Sequence, residues 1–195
     1  MIAIVSGRPY ALLEQWFGHL PVLLVAEHGM VIRYPGETRP NRLEEPAEVH
    51  PRIAALLDLF QQRNPGTFVE KKEYSIAWHY RALSDQEGIL QSRELLECLE
   101  SLVRNVPLRV IDGNKVVEVR NARFSKGTAS QTILHRFPAD FALAIGDDAT
   151  DEDMFEALGD EAITIKVGTN PSRARFQLPD QSAVIPFLTD LTLSK

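Results

Sequence analysis

An α/β fold is predicted, with a doubly wound, mostly parallel core sheet and an inserted α+β cap, and three features of the chain predict it. Residues 1–5 and 22–26 are continuous apolar runs of strand type, separated by a helical spacing at Leu12, Leu13, Trp16 and Phe17. After residue 125 the same style returns, with apolar runs at 141–145 and 162–167 alternating with helical patterns at 126–137, 151–158 and 183–191. The stretch between them is written differently. Its strand runs alternate apolar and polar residues, as in an antiparallel sheet with one face covered.

The simplest organisation is a core built from residues 1–29 and 121–195, with residues 30–120 inserted as a cap domain. Inside the cap, helical patterns run over 47–62 and 87–104, and alternating strands over 67–78. Residues 108–111 and 115–119 flank Asp112-Gly113-Asn114, a tight-turn signal that predicts a hairpin.

With 195 residues, 44% hydrophobic and 25% charged, the chain is long and apolar enough for a buried core, which excludes disordered, collagenous and coiled-coil classes. Basic residues number 21 against 27 acidic, a formal charge of -6, so neither nucleic acid nor an anionic membrane is an expected partner. No apolar run reaches the ~20 residues that span a bilayer, and residues 1–20 lack a signal-peptide pattern, so a cytoplasmic location is expected. Cys98 falls among Leu95, Leu96, Leu99 and Leu102 and is expected to be a small core residue. As the single cysteine it forms no internal disulfide.

Three strand-end motifs carry chemistry. Gly146-Asp147-Asp148-Ala149-Thr150-Asp151-Glu152-Asp153 follows the apolar run 141–145, at the kind of strand end where parallel sheets bind ligands. Carboxylates so crowded call for a neutralising cation, and hard oxygen donors suit Mg²⁺, with Asp147 and Asp148 as candidate ligands. Asp151, Glu152 and Asp153 are equally explained as first-turn acids that favour the helix dipole. Thr150 is a candidate cap, with Asp153 completing an imperfect capping box.

Ser6-Gly7-Arg8 follows the first apolar run. A hydroxyl, a closely approachable amide and a helix N-terminus make a small phosphate site, or simply a serine cap beside a permissive glycine. Lys126 stands at the start of a helix, where its charge opposes the macrodipole, so a phosphate or the acidic loop is its expected partner unless it is merely solvated. Together the three motifs fit phosphoryl transfer or hydrolysis.

Ser6, Lys126 and the 146–153 loop resemble the second, third and fourth motifs of haloacid dehalogenase superfamily phosphatases. The wider pattern is similar to trehalose-6-phosphate phosphatases, including those fused behind a trehalose-6-phosphate synthase domain. It comprises Ala26-Glu27-His28-Gly29, then Glu70, Lys72, Ser75, His79, Tyr80 and Arg81, then Glu118-Val119-Arg120, Lys126-Gly127 and the acidic loop. The resemblance implies that Ser6, Gly7 and Lys126 hold phosphate, and that Lys126 and Asp151 belong to the catalytic machinery. It further implies that Asp147 and Asp148 bind Mg²⁺, and that Glu70, Lys72, Arg81 and Glu118 recognise the sugar. Trehalose 6-phosphate is the implied substrate and a synthase domain or subunit the implied partner. His79 and Tyr80 read as packing residues. Where many relatives have proline after the Glu-x-Arg element, this chain has Asn121.

The chain departs from the superfamily in one respect. The Asp-x-Asp of the first core strand, which supplies the nucleophile and the general acid and base, is not found; the pair Asp151 and Asp153 already belongs to the acidic loop. The resemblance places that first strand at the centre of the sheet, so a core lacking its central strand is expected, in a chain that is one part of a longer polypeptide and inactive alone. Two functions follow. One is Mg²⁺-dependent hydrolysis of trehalose 6-phosphate to trehalose and phosphate in trehalose biosynthesis. The other is a non-catalytic sugar-phosphate-binding or scaffolding module associated with a synthase.

Overall fold

The computed structural model describes residues 1–44 and 50–193. The chain forms two compact units, Met1–Phe124 and Ser125–Lys195.

In the first unit, β1 (Ala3–Val5), α1 (Tyr10–Phe17) and β2 (Leu23–Ala26) realise the predicted strand-helix-strand order. β1 and β2 pair in parallel, with Ala3 opposite Leu23 and Val5 opposite Val25. All four residues of β2 are fully buried, which is why the run carries no polar alternation. The chain then reverses through Glu27, His28 and Gly29, all at positive φ (45°, 59° and 112°). That reversal returns β3 (Val31–Arg33) antiparallel to β2, and β4 (Asn41–Arg42) pairs antiparallel with β3. The sheet order is therefore β1-β2-β3-β4. β3 and β4 join the strands of residues 1–29, a grouping that the expected boundary at residue 30 does not give.

The second sheet contains β5 (Phe68–Lys71), β6 (Ser75–His79), β7 (Leu108–Gly113) and β8 (Val116–Asn121), with α2 (Pro51–Arg63) and α3 (Asp85–Val103). Its order is β5-β6-β8-β7 and every pairing is antiparallel, as the alternation predicts. One face presents Ile76, Trp78, Val117 and Val119 to Ile53, Leu57 and Phe60 of α2 and to Leu95 and Leu99 of α3. Both helices thus lie on one side of this sheet, and the other side carries the polar partners of the alternation. α2 starts with Pro51 in its first turn, where a missing N–H is harmless; residues 47–49 of the expected helix lie outside the described residues. α3 starts at Ser84, which forms a reciprocal capping box with Glu87.

Two expectations are corrected here. The hairpin turn is Asn114-Lys115, with Lys115 at φ 63°, while Asp112 and Gly113 are the last residues of β7. Cys98 is exposed. The buried stripe of α3 runs through Gly88, Ser92, Leu95 and Leu99, and Cys98, one residue before Leu99, is rotated about 100° off that line.

The second unit alternates α4 (Lys126–Arg136), β9 (Leu143–Gly146), α5 (Asp151–Leu158), β10 (Ile163–Val167), β11 (Phe176–Leu178) and α6 (Val184–Leu193). Its sheet is parallel throughout, in the order β11-β10-β9. Phe155 and Leu158 of α5 pack with Ala144 and Ala162 beneath the strand ends. β11 is a three-residue, largely exposed strand without an apolar run, and no sequence signal announces it. No described helix is long and apolar enough to cross a membrane.

Candidate functional site

The first unit gathers charge where its two sheets meet. Ser6 and Gly7 follow β1, while Glu27 and His28 follow β2 and bond back across it. The His28 N–H donates to the Ser6 carbonyl at 3.0 Å and the Glu27 N–H to the Arg8 carbonyl at 3.1 Å. Two consecutive non-glycine residues at positive φ are costly, on the order of 1–3 kcal/mol each. These contacts are what the reversal achieves. It also lays the His28 ring against Gly7: a Cβ on Gly7 would lie 2.3 Å from His28 Nε2. The close approach that demands glycine at position 7 is therefore, in this structure, that of a histidine ring.

Glu118 of β8 is the centre of this cluster. Its Oε1 accepts from Lys72 Nζ at 2.8 Å and from Ser75 Oγ at 2.7 Å, and its Oε2 lies 3.3 Å from His28 Nε2. Lys72 also reaches the Gly7 carbonyl at 3.4 Å. Burial by itself would raise the Glu118 pKa, but the His28 ring beside it and the Lys72 charge outweigh it and hold the carboxyl well below the usual carboxylate range. Glu27 shows the opposite balance. Burial pushes its pKa up, and the Tyr74 N–H, donating at 2.9 Å, offsets this only in part.

Sequence reasoning named Lys72 and Glu118, and the structure joins them. Glu70 stands in the same row of the sheet as Glu118, on the far side of Ala77. Its carboxylate pairs with His79 Nε2 at 2.8 Å, and the His79 ring stacks on Phe68. Tyr80 packs on Trp78, as a packing residue should. Arg81 is exposed and donates to the Asn114 carbonyl at 3.5 Å. Ser6 does not cap α1, whose N-cap is Pro9; its hydroxyl accepts the Arg8 N–H at 3.2 Å.

In the second unit, Lys126 opens α4 and is buried, with its Nζ 2.7 Å from Asp151 Oδ1. The acidic loop thus supplies the anionic partner that its position required. The other oxygen of Asp151 accepts the Asp148 N–H at 2.9 Å. The Asp151 carboxylate lies over Gly146, where a Cβ would come within 2.3 Å of its Cγ. Thr150 makes no capping hydrogen bond, contrary to expectation, because Asp151 rather than Thr150 closes the loop.

The outer carboxylates are exposed. Asp148 Oδ1 accepts the Ala149 N–H at 2.7 Å, and Asp147 Oδ2 accepts a long bond of 3.5 Å from Gln181. No group of three or more metal-ligating side chains converges among the described residues. Mg²⁺, however, commonly takes one or two carboxylates and completes its shell with water and phosphate oxygens. The open carboxylate of Asp147 fits that demand, and Asp148 stands beside it. Asp151, with both oxygens engaged, fits the task of orienting the loop.

Sequence reasoning missed Lys166 of β10. Its ammonium is buried and reaches the Asp147 carbonyl at 2.9 Å, the Asp148 carbonyl at 3.4 Å and Glu152 Oε1 at 3.3 Å. The signal was present: a lysine inside the apolar run 162–167 is a buried charge that needs acceptors.

A parallel α/β layer whose strand end carries an acidic loop gripped by a buried lysine is the architecture of haloacid dehalogenase-like phosphatases. Within that class the trehalose-phosphatase family model matches residues 1–182, and the chain belongs to this family. It is 38% identical over 199 residues to alpha,alpha-trehalose-phosphate synthase [UDP-forming] B of Dictyostelium discoideum, covering 99% of this chain and 25% of that protein. To the bifunctional trehalose-6-phosphate synthase/phosphatase of Thermoproteus tenax it is 37% identical over 190 residues, covering 97% of this chain and 26% of that protein. The chain therefore spans about a quarter of the length of these curated relatives. Among solved structures, the C-terminal domain of Candida albicans trehalose-6-phosphate phosphatase matches at a TM-score of 0.90 with 25% identity, covering 98% of this chain and 77% of that one.

Proposed function

We propose that this chain supplies the cap and most of the core of a Mg²⁺-dependent phosphatase that hydrolyses trehalose 6-phosphate to trehalose and phosphate in trehalose biosynthesis. The observation that carries this reading is the pair of charged clusters, Lys72-Glu118-Ser75 in one unit and Lys126-Asp151 in the other, in a chain of the trehalose-phosphatase family. Residues 1–29 and 121–195 act as the core and residues 30–120 as the cap, with β3 and β4 continuing the sheet of β1 and β2. The setting is the cytoplasm, and a synthase domain or subunit is the partner.

Each residue has a task. Ser6 and Gly7 bind phosphoryl oxygens, and Lys126 neutralises phosphate charge. Asp151 holds Lys126 and the Asp148 amide in place. Asp147 and Asp148 hold Mg²⁺, which, when bound, supplies Lewis-acid stabilisation of the phosphate. Glu70, Lys72, Arg81 and Glu118 hydrogen-bond the sugar, whose hydroxyls both donate and accept.

The sequence offers no strand-end Asp-x-Asp, so these 195 residues are expected to be inactive alone. Calorimetric titration with trehalose 6-phosphate, glucose 6-phosphate and trehalose, in Mg²⁺, tests the substrate assignment. Trehalose 6-phosphate binds at least tenfold tighter than glucose 6-phosphate, and Glu118→Ala removes that preference. Equal affinity for the two phosphates rejects the assignment. The chain is expected to release no phosphate, and turnover that Asp147→Ala abolishes would reveal a nucleophile among these residues.

A further inference from the structure

Lys166 is an ammonium placed where a hydrocarbon would serve the fold better. It sits in β10 opposite Gly146 of β9, with 4% of its surface exposed, and its flanking residues Ile165 and Val167 are buried core. Burying a charge costs several kcal/mol unless each of its donors is matched. Here the main-chain carbonyls of Asp147 and Asp148 accept hydrogen bonds from the ammonium, and the Glu152 carboxylate stands 3.3 Å from it as its counter-charge.

Two of those partners are main-chain atoms of consecutive residues, the two aspartates that carry the proposed Mg²⁺ role. The same loop is held from its N–H side, where Asp151 accepts the Asp148 amide while paired with Lys126. The peptide planes on both sides of Asp148 are therefore fixed, the carbonyls by one lysine and the amide by a carboxylate that a second lysine holds. Glu152 extends the grip outward, since its carboxylate also accepts the Ser172 hydroxyl at 2.9 Å and the Arg173 N–H at 2.8 Å. With the backbone turned inward onto Lys166, the side chains of Asp147 and Asp148 are left facing solvent.

We propose that Lys166 is a positioning residue for cation binding: by gripping the carbonyls of Asp147 and Asp148 it presents the Asp147 carboxylate to a divalent ion. This rests on the reading of Asp147 as a ligand for Mg²⁺. The role predicts an effect opposite in sign to that of simple charge. A lysine acting as a nearby positive charge repels a cation, and its neutralisation tightens binding. A lysine acting as a backbone clamp favours binding, and its removal weakens it.

The experiment measures Mn²⁺ binding to the full chain by the loss of the free-ion electron paramagnetic resonance signal, in wild type, Asp147→Asn, Lys166→Met, Lys166→Gln and Lys166→Arg. Thermal unfolding and circular dichroism of each variant run alongside. Wild type binds, and Asp147→Asn loses binding. Lys166→Met weakens it by about tenfold or more, the range typical of residues that orient metal ligands. Lys166→Arg, which keeps charge and donors, stays within about threefold of wild type, and Lys166→Gln falls between. Should Lys166→Met unfold, Lys166→Gln decides alone, since it keeps one or two donors without the charge. Binding by the neutral variants that equals or exceeds wild type overturns the positioning role while leaving Asp147 as ligand. A wild-type chain that binds no Mn²⁺, or an Asp147→Asn variant that binds as wild type, overturns the ligand reading itself and the role of Lys166 with it.

Discussion

The Lys72 ammonium and the Glu118 carboxylate meet at 2.8 Å across the second sheet, and Glu118 shares its oxygens with Ser75 and His28 as well. A carboxylate this buried is tolerable because its partners are in place before any ligand arrives. Removing its charge alone is therefore expensive: Glu118→Gln is expected to cost about 3 kcal/mol at pH 7, read by urea denaturation.

That cost depends on pH in a defined direction. The folded Glu118 pKa is held below its ordinary value, so below about pH 5 the unfolded chain takes up a proton that the folded chain refuses. The stabilisation is full above the unfolded pKa and is lost as pH falls toward the folded one. The gap in unfolding free energy between wild type and Glu118→Gln should accordingly narrow below pH 4. A gap that stays constant from pH 7 to pH 3 would show that Glu118 stabilises by shape alone.

Glu27 runs the other way. Its folded pKa is raised, chiefly by burial, so its contribution is full below the unfolded pKa and declines as pH rises through the folded value. Glu27→Gln keeps an acceptor for the Tyr74 N–H and removes the buried charge. The variant is expected to equal or exceed wild type in stability at pH 7, by up to about 1 kcal/mol, and to lose that advantage at pH 4. A large loss at pH 7 would mean that the charge itself is needed.

Gly7 and His28 form a steric pair. A methyl at position 7 would overlap the His28 ring, which its left-handed backbone and its Glu118 contact hold in place. Gly7→Ala is expected to cost about 1–3 kcal/mol. In the double variant with His28→Ala the obstacle is gone, so the two costs should fall short of additivity by about 1 kcal/mol or more. Strict additivity in a double-mutant cycle would place the strain of Gly7→Ala elsewhere.

Periodicity made most of the fold legible, since the continuous apolar runs at 1–5, 22–26 and 162–167 mark core strands and the alternation of the second sheet marks one covered face. What escaped was short or contextual. β3, β4 and β11 span two or three residues, too few for a period, and exist because a neighbouring strand offers unpaired groups. Cys98 looked apolar in company but misses the buried stripe of α3 by one residue. At the site, Lys126 was legible because a cation at a helix start is locally unfavourable, and its partner proved to be Asp151. The pairing of His28 with Glu118 was not legible, because no local rule links a loop after β2 to a strand so far along the chain.

The two aspartates Asp147 and Asp151 belong to one loop but answer to different demands, and stability measurements separate them. Asp151 is buried, with one oxygen on the Lys126 ammonium and the other on the Asp148 amide. Asp151→Asn strands a buried ammonium without its counter-charge and is expected to cost about 3–5 kcal/mol. Asp147 is exposed and its side chain contributes one long contact with Gln181. Asp147→Asn is expected to stay within about 0.5 kcal/mol of wild type without a divalent ion. With Mn²⁺ in excess the order changes: wild type gains stability that grows with the logarithm of the free-ion concentration above Kd, and Asp147→Asn does not. Equal losses for the two variants without metal would make Asp147 a structural residue and remove it from the ion site.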